Sequence, residues 1–212
     1  MILHVEGVNK SIKKNRILVN INLTLESGKV YGFVGRNGSG KTMLFRALSG
    51  LMRVDSGIIT YNEKVLHKDM EVLPNMGIVL ENAGLYPEFT GFKNLQLLAG
   101  LNSKIGKNEV AQAITRVGLD PGDRRIVKKY SLGMKQRIVI AQSIMEKPDV
   151  LFLDEPTNAL DESGVELIRK IITEEKERGA IVLVASHNKE DINLLADQIF
   201  YMDQGSIVDR KE

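Results

Sequence analysis

None of the 212 residues is a cysteine, which excludes disulfides and thiolate metal sites and is compatible with a reducing cytoplasm. Long hydrophobic runs are missing too. The longest apolar stretches, around Val150–Leu153 and Ala180–Ala185, have strand length and fall far short of the roughly 20 residues a membrane-spanning helix requires. If a membrane matters to this chain, another polypeptide is expected to cross it, and nothing resembles a secretory signal. The net charge of +2 is too small to argue for nucleic acid. The cluster Lys128, Lys129, Lys135 and Arg137 reads as a solvated or nucleotide-facing basic edge. Internal repeats, low-complexity segments and linkers are likewise absent. What remains, 43% hydrophobic and 26% charged residues, is the composition of an ordinary globular protein.

The pattern predicts one α/β domain over 1–212. Short β-like runs, Ile2–Val5 and Ile17–Leu25, and a hairpin-like piece, Gly57–Tyr61 with Val65–Leu66, predict a small antiparallel β layer. From about Tyr86 to Glu146 the apolar spacing turns helical, as in Leu95, Leu98 and Leu101, Val110, Ala113 and Ile114, or Ile138, Ala141 and Ile144, so a helical subdomain is expected over about 86–146. Lys147-Pro148 ends that segment. Strand Val150–Leu153, a helix from Ser163 to Arg178, and strand Ala180–Ala185 after Gly179 then argue for a parallel sheet.

The richest stretch is GRNGSGKT, comprising Gly35, Arg36, Asn37, Gly38, Ser39, Gly40, Lys41 and Thr42. Its G-x-x-x-x-G-K-T spacing is that of a P-loop: glycines let backbone N–H groups turn inward as an anion nest, the lysine reaches the terminal phosphates and the hydroxyl ligates magnesium. A buried strand, Val30–Val34, precedes it and a helix from Lys41 to Leu48 follows, so the helix N-terminus points at the phosphates. A Gly-rich turn with an exposed lysine is the plainer alternative. Against it stands the end of strand Val150–Leu153, where Asp154-Glu155-Pro156 delivers two carboxylates to the same edge of the sheet. In such sites the first acid holds magnesium and the next polarises the attacking water, roles assigned here to Asp154 and Glu155. Ser131 and Gly133, in YSLGMKQR ahead of a helix, offer a hydroxyl and an N–H to a second anion.

These residues resemble the ATP-binding cassette ATPases, and the likeness runs from about Leu3 to Val208. Tyr130–Met134 occupies the place of that family's LSGGQ signature, with Gln136-Arg137 behind it, Asn158–Asp161 resembles its D-loop, and His187 its switch histidine. The resemblance implies a P-loop NTPase (RecA-like) parallel-sheet core with an N-terminal antiparallel β layer and an inserted helical subdomain. It further implies ATP and Mg2+ as ligands, with Thr42, Glu81 and Asp154 at the metal and Glu155 and His187 as the catalytic residues. Two copies then sandwich each ATP between Gly35–Thr42 of one and Ser131, Gly133 and Asp161 of the other.

Three departures from the family pattern carry consequences. Ile12 stands where an aromatic side chain usually stacks on adenine, and it lacks a π-face. Glu81 replaces a glutamine and adds negative charge near the metal, while Leu132 and Met134 replace a glycine and a glutamine of the signature. The Ser-Leu-Gly-Met form with that glutamate resembles cassettes of drug and antimicrobial-peptide exporters, bacitracin-type ones included. The chain is therefore expected to be a transporter ATPase subunit, peripheral on the cytoplasmic face and coupled to a separate membrane subunit through the region from Glu81 to Phe92. The rivals are a soluble cassette acting on nucleic acid or ribosomes, a class that generally carries tandem cassettes or long insertions, and a non-catalytic nucleotide binder, which Glu155 and His187 oppose.

Overall fold

A computed structural model describes residues 1–80 and 84–208. Strands β1 (Ile2–Ile12), β2 (Asn15–Glu26), β4 (Ser56–Tyr61) and β5 (Lys64–Val65) form an antiparallel sheet in the order β2-β1-β4-β5. Alternation decides which face of this sheet is buried: Leu3, Val5 and Val8 of β1 point inward while Ile2, His4 and Glu6 are exposed. Both β1 and β2 run longer than the apolar runs alone predict, because pairing across the tight turn at residues 13–14 extends the ladder through the polar segments.

The second sheet has the order β10-β9-β3-β8-β7-β6, built from β3 (Lys29–Val34), β6 (Met76–Val79), β7 (Val150–Asp154), β8 (Ile181–Ser186), β9 (Gln198–Asp203) and β10 (Ser206–Val208). All its neighbours pair in parallel except the edge hairpin β9–β10. Every residue of β7 and β8 is buried, as continuous apolar runs covered on both faces should be. Helix α1 (Lys41–Ser49) lies between the two sheets in a core where Phe45 meets Phe33 edge-on at 5.4 Å and Phe152 at 5.5 Å.

On the other face pack α5 (Glu162–Glu177), α6 (Lys189–Leu195) and the helical subdomain, made of α2 (Gly91–Asn102), α3 (Lys107–Arg116), a 3-10 turn at Val127–Lys129 and α4 (Leu132–Ile144). The subdomain is joined to the sheet at Gly77 of β6. A Cβ there would lie 1.9 Å from the backbone oxygen of Ser143 on α4, an atom that cannot give way. Gly77→Ala should therefore push α4 off the sheet and lower Tm by roughly 5–10 °C in a thermal melt, as overpacking by a few kcal/mol does in a chain of this size.

Helix α6 and strands β9 and β10 are not anticipated by the sequence patterns, since α6 has seven residues and β10 three, too few to develop a clear period. They matter to the site, because the β9–β10 turn buttresses the P-loop.

Candidate functional site

Strand order gathers the candidate residues. β8 lies between β3 and β7, with Val34 opposite Ser186 and Asp154 opposite Ala185, so the three segments after these strands leave the same edge side by side. They carry the P-loop, Glu155 and His187. Within the P-loop, Gly40 has φ 106°, a left-handed backbone that favours glycine, and it leads directly into α1. A Cβ on Gly35 would lie 2.4 Å from both the Met202 carbonyl oxygen and Ser39 Oγ, so the loop is clamped against β9 by close backbone approach. Gly205, in the β9–β10 turn, donates its N–H to the Ser39 carbonyl at 2.9 Å.

Lys41 is buried, and its Nζ donates to the carbonyls of Gly35 at 2.7 Å and Arg36 at 3.4 Å. The ammonium thus rests over its own loop, where an anion in the nest would meet it. Ser39 Oγ is buried with no hydrogen-bond partner among the described residues. A buried hydroxyl without a partner and a buried ammonium carried by the same loop are groups that phosphate oxygens can satisfy. The Thr42 hydroxyl donates to Asp154 Oδ2, bringing two hard oxygen donors together at the end of β7. Such donors suit Mg2+, with phosphate and water oxygens completing its shell. Among the described residues no cluster of three or more His, Asp or Glu forms a metal cage of its own. Glu81, expected as a further metal ligand, lies outside the described residues.

Glu155 has φ 49°, uncommon for a side-chain-bearing residue and the kind of backbone found where a functional group is aimed. Its carboxylate accepts three hydrogen bonds: from the Ser186 hydroxyl at 3.2 Å, from the His187 N–H at 3.0 Å and at His187 Nδ1 at 2.9 Å. The Glu155 side chain is 12% exposed and that of His187 61%, so the imidazole covers the carboxylate from the solvent side. Gln136 Nε2 holds the backbone beneath through the Pro156 carbonyl at 3.2 Å. Ser186 carries no sequence signal as a site residue, and Gln136 enters the sequence reading only as part of the signature segment, without a contact to Glu155. Only their neighbourhood in space makes them so.

A cavity of about 1130 Å³ runs from Lys41, Thr42, Asp154 and Glu155 past Asn37 and Gly38 to Lys14, Arg16, Ile17 and Gln204. Among the described residues its lining contains no aromatic side chain, and Ile12 stands outside it at the end of β1, 44% exposed. Ile12→Tyr should place a π-face beside the far end of this cavity. Titration with a fluorescent ATP analogue is expected to show about tenfold tighter binding, the scale of one base–aromatic stack, and unchanged affinity would remove position 12 from the site.

Ser131, Gly133 and Asp161 are not brought to this cavity. They line a separate hollow of about 450 Å³ at the start of α4, together with Leu132, Met134 and Arg137. Ser131 is the N-cap of α4, its Oγ accepting from the Met134 N–H at 3.1 Å, and the hydroxyl proton stays available to an anion. Gly133 meets the D-loop backbone so closely that a Cβ would lie 2.9 Å from the Ala159 carbonyl. Asp161 caps α5 and pairs with Arg137 at 3.0 Å, and the Ser163 hydroxyl and Gly164 N–H hold its carboxyl below the usual range. The residues expected to bind phosphate therefore lie in two separate hollows on different parts of the surface.

Comparison with known proteins places these features. The model of a family described as ABC transporter matches residues 18–158. YybJ of Bacillus subtilis (strain 168), an uncharacterized ABC transporter ATP-binding protein, is 46% identical over 205 residues, 97% of this chain and 94% of that one. The lantibiotic transport ATP-binding protein SrtF of Streptococcus pyogenes is 34% identical over 99% of this chain and 90% of its own length. For the bacitracin transport ATP-binding protein BcrA of Enterococcus faecalis the figures are 35%, 98% and 68%. In fold, the chain matches the dimeric structure of MJ0796, a bacterial ABC transporter cassette, with a TM-score of 0.88 at 20% identity over 99% of this chain and 98% of that one.

Proposed function

The chain belongs to the ABC transporter family, and from that premise we propose that it is the ATP-hydrolysing subunit of an exporter, closing around ATP with a second copy of itself and driving a separate membrane subunit. The observation that carries this reading is the convergence of Lys41, Thr42, Asp154 and Glu155 on one cavity while Ser131 and Gly133 face another. A second copy turned head to tail supplies what each site lacks.

In this reading the P-loop N–H groups and Lys41 bind the β- and γ-phosphates, and the N-terminus of α1 adds its dipole. Magnesium supplies Lewis-acid neutralisation of phosphate charge when bound. Glu155 orients a water in line with the γ-phosphorus and takes its proton as the new P–O bond forms and the bond to the ADP oxygen breaks. His187 leaves the carboxylate and donates a hydrogen bond to a γ-phosphate oxygen. The Glu155–His187 contact is then the resting arrangement, which holds the base covered until a phosphate competes for the imidazole.

No helix among the described residues is long and apolar enough to cross a membrane, so a peripheral position on the cytoplasmic face fits a chain that acts through a partner. Tyr86 and Phe89, 56% and 38% exposed with ring centroids 5.8 Å apart, offer apolar surface within the region expected to contact that partner. The names of SrtF and BcrA support export of a peptide-like or drug-like cargo. The experiment is steady-state hydrolysis of Mg-ATP by the purified chain, followed by its stimulation on adding the membrane protein that copurifies with it. Hydrolysis is expected, and its absence in both settings would refute the assignment.

A further inference from the structure

Asp191 is a buried carboxylate, 4% exposed, that the chemistry above does not use. Its Oδ1 is paired with Arg169 Nη2 of α5, and its Oδ2 accepts from the Thr157 hydroxyl at 3.0 Å. Thr157 lies two residues beyond Glu155, and Asp191 is on the first turn of α6, whose N-cap Asn188 directly follows His187. Asn188 in turn donates its N–H to Ser186 Oγ at 3.0 Å, and the same hydroxyl donates to Glu155 Oε2. A closed circuit results: from Glu155 along the chain to Thr157, across to Asp191, back through the first turn of α6 to Asn188, and through Ser186 to Glu155 again.

We propose that Asp191 is a positioning residue for hydrolysis, fixing the loop that carries Glu155 and the loop that carries His187 at a set distance and aim. The inference rests on the hydrolytic reading of Glu155 and His187. Its physical basis is lateral: both loops leave the ends of β7 and β8, Gln136 supports the Glu155 loop only from beneath, and a tie between the two loops keeps their side chains within hydrogen-bond reach. A carboxylate is unfavourable in a buried place unless paired and hydrogen-bonded, and Arg169 meets the charge. A staple that only joined α5 to α6 would be complete with that ion pair. The hydroxyl of Thr157 meets the second oxygen of the buried carboxylate, and it is the atom that reaches the catalytic loop. Groups that orient a reacting side chain through one hydrogen bond act in this manner.

The test uses Thr157→Val, which keeps side-chain shape and the Asp191–Arg169 pair but removes the link. With the intact chain, kcat for ATP hydrolysis is expected to fall about 10- to 100-fold, the usual cost of losing such a support, while ATP affinity measured with a fluorescent analogue stays near wild type and Tm falls only by the few degrees that one lost hydrogen bond at a buried carboxylate costs. Thr157→Ser, which restores the hydroxyl, should recover most of the rate, and Asp191→Ala should lose at least as much as Thr157→Val. Combined with Glu155→Gln, Thr157→Val should slow the residual rate no further, since both act through one carboxylate. Wild-type kcat in Thr157→Val, or a loss of Tm with unchanged kcat, would overturn the inference and leave the hydrolytic assignment standing. A wild-type chain without hydrolysis would instead overturn the assignment on which it rests.

Discussion

Glu155→Gln is expected to lower kcat for ATP hydrolysis by about 10²- to 10⁴-fold, the range for loss of a positioned general base, with little change in ATP affinity. The amide is isosteric and can still accept a hydrogen bond from Ser186 or the His187 N–H, so the loop at φ 49° should keep its shape. What it loses is the ability to take a proton at the in-line position. Measured as kcat and KM under saturating Mg-ATP, the loss should fall on kcat alone. A substitution that raised KM and left kcat intact would assign Glu155 to nucleotide binding and not to the reaction.

Lys41→Ala is expected to act on the other parameter. Its ammonium is buried at 6% exposure, bonded only to the carbonyls of Gly35 and Arg36 among the contacts described, and so stands ready for an anion. Charge-assisted hydrogen bonds of this kind contribute about 1.5–3 kcal/mol, so ATP affinity should fall by about 10- to 150-fold. The nucleotide-free chain should lose little stability, because removing a buried charge that has no carboxylate partner is close to neutral for folding. Thermal melts separate the two effects. The rise in Tm that ATP gives to wild type should largely vanish in Lys41→Ala, whereas the Tm without nucleotide should stay near the wild-type value. Lys41→Arg should not restore binding, since a planar guanidinium is too broad for a loop closed by Gly35 and Gly40.

The sequence makes the phosphate end of the site legible because its chemistry is local. Gly35–Thr42 must form one tight loop, and Asp154-Glu155 must follow one buried strand, so spacing along the chain is already spacing in the fold. The antiparallel layer and the helical subdomain follow from periods of two and 3.6 for the same reason. Ser186, Gln136 and Asp191 are different. Each reaches Glu155 or its loop from a distant segment, through β8, α4 and α6 respectively, and no local pattern announces a contact made across strands. The far end of the cavity is equally hidden, since Lys14, Arg16 and Gln204 come together only when β10 pairs with β9 and the β9–β10 turn meets β2. Ile12, legible as a missing aromatic, lies outside the cavity lining, to which the polar residues Lys14, Asn15 and Arg16 contribute. The departures at Leu132 and Met134 keep Ser131 as N-cap and Gly133 against Ala159, so the signature turn survives its altered side chains.

The division of the proposed anion-binding groups between two hollows is the feature on which the proposed function depends most. Light scattering of the Glu155→Gln chain, with no nucleotide, with Mg-ADP and with Mg-ATP, addresses it directly. Arrested hydrolysis should let ATP accumulate in the closed state, so a mass twice that of the 23.6 kDa chain is expected with ATP alone, reverting to monomer with ADP or when Ser131→Arg blocks the second hollow. A chain that binds ATP tightly and remains monomeric at concentrations well above the ATP dissociation constant would contradict the shared site.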